Sequence, residues 1–97
     1  MAKLAILAIL EAKPGKENEV DKFLRSALPL VEQEPGTVSW YALRLGTAKF
    51  GIFDTFDDHA GRQAHLSGKV AEALLAKAEE LFSKPPQIEQ IDILAEK

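Results

Sequence analysis

The sequence predicts an α+β fold, a four-stranded antiparallel sheet with its helices on one face, and three observations carry that prediction. Apolar spacing alternates between strand and helix periods in the order β-α-β-β-α-α-β. The second and third strands follow one another with only a short glycine-containing connection between them, as in an antiparallel hairpin. Proline and glycine fall at the breaks between elements rather than within most of them. Helices and strands in such a chain segregate into two layers, the ferredoxin-like split βαβ plan. At 97 residues, with no linker or internal repeat, the chain reads as a single domain, residues 1–97.

Each element has its own justification. Leu4 to Leu10 is apolar at odd and even positions, as a central strand covered on both faces requires. Lys13-Pro14-Gly15 ends it, and Val20, Phe23, Leu24, Ala27, Leu28 and Val31 then recur at steps of three and four, the stripe of an amphipathic helix. Pro29 removes a backbone donor inside that pattern, so its last turn should kink or tighten before Glu34-Pro35-Gly36. Thr37 to Leu45 and Lys49 to Phe56 are rich in aromatic and β-branched residues, joined through Gly46-Thr47-Ala48. Asp57-Asp58 can cap the next helix, with Ala60, Ala64 and Leu66 as its expected apolar side and Gly68 as its break. Val70, Leu74, Ala78, Leu81 and Phe82 form one face of a further helix, stopped by Pro85-Pro86. Ile88, Ile91, Ile93 and Leu94 supply the final strand.

Helices cover one face of such a sheet, yet the first strand is apolar on both. A second copy packed on the open face, a homodimer, is the expected cover.

Composition narrows the function classes. Twelve basic residues against fifteen acidic give a net charge of −3, which offers no general attraction to nucleic acid or anionic lipid. Cysteine is absent, which removes disulfides, thiolate metal sites and cysteine nucleophiles and fits a cytoplasmic location. The opening apolar run is short and is followed at once by Glu11 and Lys13, so it reads as a strand rather than a secretory leader. Phe50-Gly51-Ile52-Phe53-Asp54 departs from the aromatic-glycine order of an RNA recognition motif and adds a negative charge. Ala12-Lys13-Pro14-Gly15-Lys16 lacks the glycine-rich anion loop of an acylphosphatase, and no nucleotide or flavin fingerprint occurs.

Chemistry-bearing residues are few. His59 and His65 are six positions apart, about 120° around a helix, so they do not share a metal and no metal site is expected. His65, near the end of a short helix and beside Gly68, has two readings: a neutral imidazole over a cavity, suited to general base work, or a histidine bonded to a backbone carbonyl. Trp40 and Tyr41 point to opposite faces of their strand, so one of them can join a pocket between sheet and helices.

Three segments together resemble the antibiotic biosynthesis monooxygenase family. Lys13-Pro14-Gly15-Lys16-Glu17 follows the first strand, Glu34-Pro35-Gly36-Thr37 leads to Trp40-Tyr41, and Phe53-Asp54-Thr55-Phe56-Asp57-Asp58 leads to Ala64-His65-Leu66. The resemblance spans nearly the whole chain. It implies a dimeric α+β barrel and a cofactor-independent monooxygenase acting with molecular oxygen on a small hydroxylated aromatic, quinol or polyketide-like substrate. It also implies His65 as the base, Trp40, Phe53 and Phe56 as substrate-binding residues, and no cofactor. Arg62 is a further candidate for holding an anionic oxygen, the alternative being an i, i+4 surface pair with Asp58. Haem-degrading relatives have an asparagine where Ala8 stands, a tryptophan where His65 stands and a histidine near Leu75, so that activity is not expected. The competing class is a non-catalytic dimeric protein binding a small ligand in the same fold.

Overall fold

The computed structural model describes residues 2–97. Its elements are β1 (Leu4–Glu11), α1 (Glu17–Val31), β2 (Thr37–Arg44), β3 (Lys49–Phe56), α2 (His59–Leu66), α3 (Lys69–Leu81) and β4 (Gln87–Asp92). The strands form one sheet in the order β2-β3-β1-β4. Every neighbouring pair is antiparallel. This is the α+β, ferredoxin-like arrangement expected, with β1 in the interior of the sheet.

Alternation along the strands divides the sheet's side chains between two faces. Ala8, Leu10, Phe50 and Ile52 face the helices and pack with Val20 and Leu24 of α1 and Leu74 and Leu81 of α3. A second cluster joins Ala27 and Val31 of α1 to Val70 of α3, and Trp40 packs against both. On the other face, the register sets Leu7 opposite Phe53 and Phe53 opposite Tyr41. Leu7, Ile9, Leu43 and Phe53 are half-buried there and Tyr41 is exposed, an apolar surface without helices over it.

Two expectations are corrected in detail and one is met. Leu28 is exposed rather than part of the inner stripe of α1. The last strand ends at Asp92, and Leu94 beyond it is 97% exposed. The tightening expected after Pro29 is present: beyond Val31 the chain closes with three-residue bonds from Gln33 N to Leu30 O and from Glu34 N to Val31 O. No helix among the described residues is long and apolar enough to cross a membrane.

Candidate functional site

The largest departure from the expected pattern lies in α2. Its apolar side was expected to run through Ala60, Ala64 and Leu66, but Ala60 and Ala64 are exposed and Leu66 is half-buried. The residues that α2 buries are Arg62 and His65, one turn apart and turned toward the sheet. A helix so short, with polar residues inward, needs specific anchors. Asp58 caps it, Oδ1 accepting from Gly61 N at 2.8 Å. Arg62 Nη1 donates to the carbonyls of Ile91 (3.2 Å) and Ala5 (3.4 Å), fastening the helix to β1 and β4. Asp58 is therefore used as a cap and the Arg62 side chain reaches the sheet instead of forming the surface pair.

Glycine sets how closely α2 approaches the start of β2. A Cβ on Gly61 would lie 2.8 Å from Gly36 O, and one on Gly36 would lie 2.8 Å from Gly61 Cα. Two bare backbones meet there. The contact holds the turn after α1 against α2, and with it Glu34 beside His65. A bulge between Thr37 and Ser39 then shifts the β2 register. Thr37 consequently stands opposite the helix-facing Phe56 and donates from Oγ1 to Glu34 Oε1 at 2.8 Å.

At the centre of these contacts His65 is 7% exposed and both its ring nitrogens are engaged. Nε2 lies 2.8 Å from Asp54 Oδ2, and Nδ1 lies 2.6 Å from Glu34 Oε1. The Phe56 ring packs against the imidazole at 5.5 Å between centroids. Burial by itself favours the neutral ring, but the hydrogen bonds and charges of Asp54 and then Glu34 outweigh it and lift His65 above the ordinary histidine value. A protonated ring donates one N–H to each carboxylate. This differs from both sequence readings of His65, the neutral imidazole and the partner of a backbone carbonyl.

Asp54, 1% exposed, occupies a helix-facing position of β3 between Ile52 and Phe56. Its Oδ2 meets His65, whereas its Oδ1 has no hydrogen-bond partner among the described residues. Trp40 stands directly across the strand pair from Asp54, and its Nε1 is likewise buried without a partner. His65, Phe56, Trp40 and Arg62 thus share the layer between sheet and helices. Phe53 does not, because it projects from the opposite face.

Sequence reasoning missed Glu34 and Asp54 as functional groups. For Asp54 a signal existed: Phe50, Ile52 and Phe56 make its face of β3 apolar, so a carboxylate in that row requires a buried partner. For Glu34 the Glu34-Pro35-Gly36 turn looked sufficient as a helix stop. His59 is exposed at the start of α2, away from the network. No group of three or more His, Cys, Asp or Glu among the described residues is arranged to hold a metal ion.

Two clefts open elsewhere. One of about 290 Å³ lies between α1 and β2, lined by Asp21, Arg25, Arg44 and Phe50 among others. The other, about 380 Å³, lies at the C-terminal end of α3, lined by Leu75, Phe82 and Pro85 among others. Neither is lined by His65.

No family profile matches the chain, and no curated protein is similar enough to match it. Solved structures are similar along its whole length. A protein of unknown function from Nitrosomonas europaea is 55% identical, with a TM-score of 0.97 over 100% of this chain and 94% of that one. A candidate antibiotic biosynthesis monooxygenase from Caulobacter crescentus is 18% identical, with a TM-score of 0.81 over 97% of this chain and 92% of that one. A second candidate of that name, from Nitrosomonas europaea, is 13% identical, with a TM-score of 0.84 over 96% and 91%. The chain belongs to one family with the 55% identical Nitrosomonas europaea protein, and its fold is that of the antibiotic biosynthesis monooxygenases.

Proposed function

We propose that the protein is a cofactor-independent monooxygenase of a small hydroxylated aromatic, quinol or polyketide-like substrate. The observation that carries this reading is His65, held at both ring nitrogens by Asp54 and Glu34 in the layer between sheet and α2. The fold shared with proteins named as monooxygenases supports it. In such a reaction a quinol and O2 give a hydroxyquinone and water: one oxygen atom enters the ring, the other leaves as water, and the substrate supplies the electrons. The protein's part is to bind the ring away from water and to accept the hydroxyl proton as the electron leaves. Two carboxylates and one imidazole in contact can take up that proton and spread the charge. Trp40 and Phe56 are the apolar walls beside this network. Arg62, already bonded to two backbone carbonyls, holds α2 in register with the sheet.

We further assign the apolar sheet face carrying Leu7, Ile9, Leu43 and Phe53 to a second copy of the chain, so that Phe53 belongs to a homodimer contact. Sedimentation equilibrium at micromolar concentration tests this, with a monomer contradicting it.

Purified protein should consume oxygen with a panel of quinols, one atom of labelled O2 appearing in the product. His65→Ala should lower the rate by ~10²–10⁴. Absence of uptake above background across the panel contradicts the reading. A second reading, a non-catalytic dimer binding a small ligand, draws support from the two clefts, neither lined by His65. Saturable ligand binding without oxygen uptake would favour it.

A further inference from the structure

We propose that Asp54 Oδ1 and Trp40 Nε1 form a subsite for one hydroxyl group of a bound aromatic ligand. This rests on the monooxygenase reading for the class of ligand, and it names the group by which that ligand is held. Asp54 Oδ1 is an acceptor and Trp40 Nε1–H a donor, both buried and both without a partner among the described residues. An unsatisfied buried polar atom is costly, and two of opposite sense in neighbouring positions can be satisfied together.

Their proximity follows from the strand register. Asp54 and Trp40 are Cα partners across β2 and β3, so their side chains leave the same face of the sheet. Directly opposed residues have Cβ atoms about 4.5–5.5 Å apart, so the two side chains start as neighbours, and a ligand oxygen seated within about 3 Å of each polar atom would serve both. A hydroxyl fits this pair, since it accepts from the indole N–H and donates to the carboxylate. An ether, a halide or a quinone carbonyl accepts only, and an ammonium donates only. The other carboxylate oxygen of Asp54 is bound to His65, which holds the side chain in orientation for a second bond. Trp40 and Glu34, on either side of the network, are both partly exposed.

The arrangement also moves the role of proton acceptor. Both nitrogens of His65 are engaged with carboxylates, whereas Asp54 Oδ1 is uncommitted. In this proposal the hydroxyl proton passes to Asp54 Oδ1 and His65 orients and electrostatically supports that carboxylate. In the hydroxyquinone product the two original hydroxyls are carbonyls, so the oxygen seated at this subsite accepts but no longer donates and is held less tightly.

Trp40 is the single tryptophan of the chain, so its indole N–H gives one resonance in a ¹⁵N-labelled sample. Titration under anaerobic conditions with hydroquinone should move that resonance saturably downfield. The ring-matched p-xylene, which lacks hydroxyls, should bind at least ~10-fold more weakly, because it leaves both polar atoms unpaired. Asp54→Asn, with its fold verified by circular dichroism, should weaken hydroquinone by a similar factor. If hydroquinone leaves the indole resonance unmoved, or moves it no more tightly than p-xylene, the subsite is overturned. The same holds if a slowly exchanging water remains on the indole N–H at saturating hydroquinone. Oxygen uptake is read separately: a saturable shift without uptake sinks the oxygenase and leaves the subsite, and uptake without a shift sinks the subsite alone.

Discussion

Helices α2 and α3 lie in the same layer over the same sheet, yet they are held there by different physics. The inward residues of α3 are Val70, Leu74 and Leu81, which join the two apolar clusters. Those of α2 are Arg62 and His65, tied by hydrogen bonds to backbone carbonyls and to two carboxylates. Burial of apolar side chains is non-directional and favours any close packing, so α3 supplies stability. Hydrogen-bonded polar groups demand one geometry, so α2 is fixed in one orientation against the sheet. The contrast separates residues held by apolar burial from residues held by directed hydrogen bonds.

Substitutions can break this division, and the most severe loss of stability should come from α3. Leu74→Ala should cost ~2–5 kcal/mol of unfolding free energy by loss of buried area and a residual cavity, measured by urea denaturation. Its effect on the titration of His65 in the folded protein should be negligible. Gly61→Ala should cost ~1–3 kcal/mol, because its Cβ meets the Gly36 carbonyl at 2.8 Å and something must shift. Unlike the α3 variant, it should disturb the Glu34 contact and move the His65 pKa down toward the ordinary value. Asp58→Ala removes the cap on Gly61 N and should cost ~0.5–2 kcal/mol, seen as a lower thermal midpoint.

Stability should also depend on pH through the network. The folded-state pKa of His65 is raised above its ordinary 6.5. Its contribution is therefore fully present below about pH 6.5 and is lost as pH rises through the raised value. Denaturation midpoints taken from pH 6 to 9 should fall for the wild type, and His65→Gln should flatten that slope. A wild-type slope unchanged by the substitution would contradict the assignment.

How far the sequence reveals this molecule obeys the same division. The apolar periods of Leu4 to Leu10, of Val20 to Val31 and of Val70 to Leu81 identify β1, α1 and α3, because burial alone explains those spacings. In α2 the same rule points the wrong way: it assigns Ala60 and Ala64 inward and sends Arg62 outward, whereas local anchors invert the helix. The partners of His65 are eleven residues away in Asp54 and thirty-one in Glu34. Only the strand register, the bulge after Thr37 and the Gly36–Gly61 backbone contact bring them together. No local pattern encodes those three features jointly. The resemblance in the third strand and in Ala64-His65-Leu66 singled out His65 without revealing what holds it.

Titration of His65, followed by NMR of its imidazole ring, tests the carboxylate clamp itself. An imidazolium held between Asp54 and Glu34 should have a pKa above 6.5, and a lower one in Glu34→Gln, where a neutral amide replaces one of the two carboxylates. A wild-type pKa at or below 6.5 would mean that burial outweighs the carboxylates. The clamped imidazolium at the centre of the site would then be the wrong description.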